Sequence, residues 1–402
     1  MDILIIAHFS QIPSEKRNNR FHYIALELIK EKLNQVEIVT TSFSHATKKQ
    51  RVVSETESAT FPYKFTMIKE PGYSKNVCIK RFYSHWVMAQ NLRKYLRERR
   101  KPDVIYCAVP SLDVGKVAAE YAEKNGIRFV IDIQDLWPEA FEMVFNLPVI
   151  SHAIYWPMKR NANYIYKRAD EIIAVSKTYC DRALSVNNKC KVGHDVFLGT
   201  SLKTYDENVE INRVTLDKNK VYVAYCGTLG HSYDLRCVMD AISILKNEKK
   251  IDNIIFVVMG DGPLKEVFEE YAQNKGINVN FTGRLEYPSM CAMLSACDIV
   301  VNPITHRAAQ SIINKHADYV AAGLPVVSTQ ENEEYRNLVE QYNMGFNCVN
   351  GDAIDLADKL ERLIRDTKLR KQLGKNARKC AEEKFDRNRT YQQIVEIIKE
   401  KH

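Results

Sequence analysis

Residues 299–328 read IVVNPITHRAAQSIINKHADYVAAGLPVVS, and the order of patterns in that stretch decides the fold. A short β-branched run, 299–302, gives way to a polar loop. The loop passes into a helical pattern that stops at Gly323, a residue free to take the left-handed turn that ends helices. A second apolar run starts at Pro325. A strand, a helix and a strand in close succession form a crossover unit, which places the two strands parallel.

The same alternation runs along the whole chain. Strand candidates in the first half are 3–7, 36–41, 104–108, 129–133 and 172–175. The second half offers 222–226, 254–259, 279–282, 299–302, 325–328 and 346–349. Each is an apolar run, as strands buried on both faces must be. Helical patterns at 21–33, 114–124, 235–247, 264–275 and 353–366 lie between them, and 386–402 reads as one more amphipathic helix. The interval 201–220 is polar and carries neither period. Two series of βαβ units predict two doubly wound α/β domains, over 1–200 and 201–385, with a cleft between them.

Composition agrees. At 402 residues the chain is long for one core and suits two domains of about 200. With 45% apolar and 27% charged residues, 15 Gly and 12 Pro, disorder and fibrous repeats are excluded. No apolar run approaches the ~18 residues of a membrane span, and the N-terminal stretch lacks the basic start of a signal peptide. Ten cysteines are spread out with no CxxC, which predicts reduced, mostly buried thiols in a cytoplasmic protein.

The net charge of +8 is uneven, since residues 1–200 carry +9 and the remainder −1. The excess concentrates in 69–101, where Lys69, Lys75, Lys80, Arg81, Arg93, Lys94, Arg97, Arg99, Arg100 and Lys101 face only Glu70 and Glu98. Phe82, Tyr83, Trp86 and Tyr95 interleave with them. A solvated helix face would look like this. So would a surface for an anionic membrane leaflet, where each nearby Lys or Arg contributes about 1 kcal/mol. No nucleic-acid motif accompanies the patch, so nucleic acid is not expected as a partner.

Ligands of doubly wound sheets bind beyond the carboxyl ends of the strands, so the loops there carry the candidates. The loop after 3–7 lacks GxGxxG, which disfavours a dinucleotide enzyme; Asn18, Asn19 and Arg20 precede the next helix and could meet an anion. After 129–133 stand Asp132, Asp135 and Glu139, any of which could accept a proton from a hydroxyl nucleophile; Asp135 reads equally as a turn residue before Trp137 and Pro138. Gly260 and Gly262 after 254–259 allow close approach of a ligand to the backbone. In the window quoted first, the N–H groups of Ser311, Ile312 and Ile313 would point at an anion such as a diphosphate, with Lys315 adding a charge. Asp318 could accept from a ribose diol, although Lys315 and Asp318 also have the spacing of an ordinary surface ion pair.

At this window the chain resembles a known family. Asn314-Lys315-x-x-Asp318-Tyr319-x-Ala321-Ala322-Gly323-x-Pro325-Val326 is similar to the donor-site helix of bacterial glycosyltransferases of family 4, which have the GT-B fold. Gln134–Glu139 resembles a segment of capsule and O-antigen members. Gly227, Gly260 to Pro263, and Phe281 to Leu285 resemble the first three loops of the donor domain. The resemblance implies a retaining transfer from a nucleoside-diphosphate sugar, UDP being favoured, to a growing and lipid-linked glycan. It also implies no metal and no cofactor, the nucleotide-sugar being a substrate. It places donor contacts at Gly227, Gly260, Arg284, Gln310, Ser311, Ile312, Ile313, Lys315 and Asp318. Catalysis falls to Asp135 and Lys315, and the acceptor or membrane side to Arg20, Lys80, Arg81, Trp86, Arg93 and Arg97. The last helix, 386–402, would return to the first domain, and the protein would sit on the inner face of the cell membrane.

Four departures accompany the likeness. The family's Glu-x7-Glu pair is Gln310 and Asp318 here. Thr228 holds the place of an arginine that neutralises the donor diphosphate, and His231, Ser232 and Tyr233 supply no fixed cation. Gln134 stands where many members have His, and Phe197-Leu198-Gly199 replaces Pro-Asn-Gly. A nucleotide-sugar epimerase and an inactive partner subunit of the same fold are the alternatives.

Overall fold

The structure is a computed structural model that describes residues 1–15, 19–76, 78–144, 151–306 and 315–400. The chain divides into two compact units, Met1–Phe197 together with Tyr391–His402, and Leu198–Thr390.

In the first unit β1 (Asp2–Ile6), β2 (Gln35–Thr41), β5 (Lys64–Ile68), β6 (Val104–Val109), β7 (Arg128–Ile133), β8 (Glu171–Ala174) and β9 (His194–Asp195) form a seven-stranded sheet. Its order is β5-β2-β1-β6-β7-β8-β9, and every pairing is parallel. A separate hairpin, β3 (Phe43–Ser44) and β4 (Lys49–Gln50), stands beside it. The apolar runs become strands because both faces are covered. In β1, Leu4 and Ile6 bury against the helices Ile79–Glu98, Leu112–Asn125 and Ser151–Arg168, while Ile3 and Ile5 bury against Arg20–Leu28 and Tyr391, Ile394 and Ile398 of the last helix. Each such side chain contributes about 1.5–3 kcal/mol on burial.

The second unit repeats the plan with β10 (Val221–Cys226), β11 (Ile254–Met259), β12 (Val279–Gly283), β13 (Ile299–Asn302), β14 (Val326–Ser328) and β15 (Gly345–Asn347). Their order is β12-β11-β10-β13-β14-β15, again all parallel. In both sheets the chain builds outward from its first strand and then returns to the other side of it. The order therefore reverses between β1 and β6, and between β10 and β13. Such switch points open a crevice at the carboxyl ends of the strands.

The interval 201–220, read as carrying neither period, contains the helix Leu202–Ile211, which buries only Leu202 and Tyr205 and so shows a weak apolar pattern. Three further local differences from the sequence reading have physical causes. β5 is an edge strand beginning at the exposed Lys64, so it shows no continuous apolar run. The helix read over 21–33 ends at Leu28, because Lys30, Glu31 and Lys32 have no core to face and the chain must turn to enter β2. The helix read from 114 starts earlier, at Leu112. All ten cysteines are free, seven of them buried. No described helix is long and apolar enough to cross a membrane.

Candidate active site

At the switch point of the second unit, three loops are laced together by backbone. Gly227 N donates to Met259 O (2.9 Å), Leu229 N to Asp261 O (3.0 Å), and Gly260 N to Gly283 O (2.9 Å). A Cβ on Gly260 would stand 1.8 Å from Gly227 O, so only glycine fits there. The result is a ledge walled by main chain at the ends of β10 and β11.

Lys315 begins the helix Lys315–Ala321 and reaches this ledge. Its Nζ lies 3.8 Å from the centre of the Tyr233 ring and 4.4 Å from that of Tyr225, and an added Cβ on Gly227 would be 3.6 Å from it. The Nζ is shut off from solvent and has no hydrogen-bond partner among the described residues. Burial pushes its pKa well below the usual lysine range. Ring faces attract a desolvated cation by about 2 kcal/mol or somewhat more, less than full loss of hydration costs, so among the described residues this amine lacks an anion to complete it.

The helix is fixed by its inner side. Tyr319 OH accepts from Cys226 N (2.9 Å) and donates to Cys226 O (3.1 Å), and His316 stacks on Tyr335 at 3.9 Å. Asp318, one turn after Lys315, does not pair with it. Its Oδ1 accepts from Tyr287 OH (2.9 Å), which in turn takes the proton of Thr200 Oγ1 (2.7 Å). Burial raises the Asp318 pKa to about 6, with Tyr287 and the charge of Arg387 opposing the shift. Arg284 is exposed on the loop after β12. Gln310, Ser311, Ile312 and Ile313 lie outside the described residues, as do Asn18, Arg307 and Asn314.

In the first unit the three carboxylates near the end of β7 are not gathered. Asp132 is buried in an ion pair with Arg20 Nε (2.7 Å) and takes a hydrogen bond from Tyr106. Glu139 pairs with Arg182 (2.5 Å). Asp135 alone stays uncommitted to a cation, accepting from Trp137 Nε1 (3.1 Å) and Leu136 N (3.0 Å), and burial raises its pKa.

The basic set divides likewise. Arg20 is no acceptor or membrane residue, because its guanidinium is fully engaged by Asp132 and by the carbonyls of Val196 and Phe197. Arg81 is not a surface charge either, since it is buried among aromatic rings. Arg93 is half-buried and pairs with Glu120 at 2.8 Å. Lys80, Trp86 and Arg97 are exposed on the helix Ile79–Glu98. Ile79, Phe82, Tyr83 and Trp86 are exposed too, at the i, i+3, i+4, i+7 spacing of one helix face.

Tyr225, Tyr233 and Tyr287 are the site residues that sequence reading missed. Their only signal was position, Tyr225 at the end of a strand and Tyr233 in a ligand-edge loop.

Two family models match, "Glycosyl transferases group 1" over residues 206–380 and "Glycosyltransferase Family 4" over residues 18–192. WcaI of Escherichia coli, named for glycosyl transfer in colanic acid biosynthesis, is 23% identical over 318 residues, 75% of each chain. A Campylobacter jejuni alpha-1,4-N-acetyl-D-galactosaminyltransferase, named for a PP-undecaprenol-linked substrate, is 23% identical over 314 residues, 77% of each chain. Among solved structures, Anabaena HepE in complex with UDP has a TM-score of 0.70 at 18% identity, covering 99% of both chains. WaaG, involved in lipopolysaccharide biosynthesis, has a TM-score of 0.65 at 15% identity, covering 99% of this chain and 100% of that one.

Proposed function

The chain belongs to the family 4 glycosyltransferases, with the GT-B fold, and from that premise we propose that it moves a sugar from a UDP-sugar to a lipid-linked glycan with retention at the anomeric carbon. The observation that carries the donor half is the Lys315 Nζ, without a partner among the described residues, beside the glycine ledge of Gly227 and Gly260. A diphosphate laid on the ledge gives that amine its anion and accepts hydrogen bonds from it. As the bond between the anomeric carbon and the phosphate oxygen breaks, negative charge grows on the diphosphate. A cation already in place stabilises that charge without reorganisation. Asp318, oriented by Tyr287, accepts from the ribose hydroxyls, and Arg284 faces the base. Gln310 and the N–H groups of Ser311, Ile312 and Ile313 complete the donor contacts in this reading. No resident metal or cofactor is invoked.

On the acceptor side Asp135 orients the attacking hydroxyl or takes its proton, a role its raised pKa suits. The exposed Ile79, Phe82, Tyr83 and Trp86, flanked by Lys75 and Lys80, suit the headgroup layer of an anionic membrane, which would bring a lipid-linked acceptor to the first unit. Incubation of the full chain with UDP-, GDP- and dTDP-sugars and a prenyl-diphosphate-linked glycan tests the reading through nucleotide release and the anomeric configuration of the product. Release of UDP only with acceptor present supports it. An isomerised UDP-sugar formed without acceptor, or no release with any donor, contradicts it.

A further inference from the structure

Beyond the carboxyl ends of β1 and β7 in the first unit lies a cluster that the donor chemistry does not use. The Arg81 guanidinium is caged by three rings, its carbon lying 4.7 Å from the centre of Trp137, 5.7 Å from Tyr73 and 6.0 Å from Phe9. Arg81 is 8% exposed. Its hydrogen bonds go to uncharged groups, the Asn76 carbonyl (2.8 Å) and the Tyr73 hydroxyl, and its Nε is buried with no partner among the described residues. A second cation stands beside it. Lys48 Nζ lies 4.9 Å above the same Tyr73 ring and is held by Asn76 Oδ1 (2.5 Å) and His45 Nδ1 (3.3 Å).

Nearby carboxylates do not neutralise this pair. Glu70 is taken by His8 Nε2 (3.2 Å), Thr41 Oγ1 (2.8 Å) and Ser84 Oγ (2.9 Å). Asp135 feels the charge of Arg81 but forms no ion pair with it. Two further buried nitrogens have no partner among the described residues, His85 Nε2 and His8 Nδ1, on rings 4.8 Å apart. The His85 ring stacks on Trp137 at 5.9 Å and meets Tyr73 at 5.7 Å, which places it within the same cage. Buried polar atoms left unpaired in a native fold call for a ligand or water, and two uncompensated cations call for negative charge.

We propose that the Arg81–Lys48 cage in the first unit binds a phosphoryl group carried by the acceptor. Two positive charges on separate elements match a doubly charged tetrahedral oxyanion better than a singly charged planar carboxylate. Arg81 offers a fork of donors and Lys48 a point charge. His45 Nδ1 accepts from an ammonium that can only donate, so its ring proton sits on Nε2 and adds one more donor. Phe9 and His45 also line an adjoining cavity of about 300 Å³ with Ser10, Phe43, Thr47 and Arg51, whose guanidinium pairs with the carboxylate of Glu15 there (3.3 Å); it gives room for the group bearing the phosphate. The binding site stands on the first unit alone; assigning the phosphoryl to the acceptor rests on the transferase reading.

The test uses the full chain labelled with [15N]histidine, whose ten imidazoles report by NMR. Inorganic phosphate, glucose 6-phosphate and prenyl phosphate in phosphatidylcholine bicelles are titrated separately, with glucose as control. Saturable shifts of the His45 and His85 signals are expected with at least one phosphate, weakened tenfold or more by Arg81→Gln and by the half-exposed Lys48→Met, and unchanged by Lys315→Met. Response to glucose 6-phosphate places the phosphoryl on a sugar, and response to the bicelle alone places it on the lipid carrier; both support the proposal. No saturable shift with any phosphate, equal shifts with glucose, or full affinity in Lys48→Met overturns it. UDP titrated into the same sample is read on His316 beside Lys315, so a failed donor reading is seen separately.

Discussion

Lys315 Nζ rests 3.8 Å from the centre of the Tyr233 ring. Thr228 and the run His231-Ser232-Tyr233 leave the loop after β10 without a fixed positive charge. The amine comes from the helix Lys315–Ala321, and the loop contributes the aromatic face that it lies against. Tyr225 completes the wall, its hydroxyl donating to Thr228 O (2.8 Å).

Asp318 joins stability to binding. Its pKa rises from 3.8 unfolded to about 6 folded, so between those values the folded state holds more proton than the unfolded one. Stability therefore falls as pH rises from about 4 to about 6 and is flat above. Asp318→Asn removes the penalty and keeps an acceptor for Tyr287. The variant is expected to melt higher than wild type at pH 7.5, by an amount on the order of 1–2 kcal/mol, and to lose the advantage near pH 4. UDP-glucose, whose diphosphate does not titrate in this range, should bind the variant more weakly at pH 7.5. Thermal melts and calorimetry at the two pH values check both.

Gly260→Ala would drive a Cβ to within 1.8 Å of the Gly227 carbonyl oxygen, and neither partner is a side chain that can swing away. The ledge must open. A loss of about 1–3 kcal/mol of stability and at least tenfold in UDP affinity is expected. Gly276→Ala, whose Cβ meets nothing within 4 Å but whose φ is +60°, controls for strain alone and should leave UDP affinity unchanged.

Arg20 and Asp132 are both nearly fully buried, and Tyr106 adds a hydrogen bond to the carboxylate. Arg20→Ala strands the carboxylate and is expected to cost about 3–5 kcal/mol in chemical unfolding. Arg20→Ala with Asp132→Ala together should cost less than the sum of the two single changes, which a double-mutant cycle measures.

The exposed ridge Ile79, Phe82, Tyr83 and Trp86 gives a test separate from the chemistry. Tyr83→Ser with Trp86→Ser should reduce sedimentation with phosphatidylglycerol vesicles severalfold. The melting temperature and UDP affinity should stay as in wild type, because neither side chain is part of a core.

Strands were legible wherever both faces of the sheet are covered, because an unbroken apolar run such as 254–259 admits few other readings. β5 was hidden because an edge strand starting at a solvent-facing lysine lacks that signature. In the site, Lys315 and Asp318 stood out by residue type and by their place before a helix stop. Their partners did not. Tyr225, Tyr233 and Tyr287 approach from other elements, and a tyrosine in a strand or loop carries no mark of its neighbour. Arg20 was misread for the same reason, since the carboxylate that holds it lies 112 residues away. Arg81 carried the residue type of a surface charge, and only the fold brings Trp137 and Phe9 around it.

The most direct measurement is calorimetric titration of the full chain with UDP, wild type against Lys315→Met. Methionine keeps the bulk against Tyr225 and Tyr233 and removes only the charge. Single-site binding by wild type, weakened roughly 10–100-fold in the variant, is the expected result for a charge-assisted contact to the diphosphate. Equal affinity in the two proteins, or no binding by wild type, would contradict a donor site built on that amine.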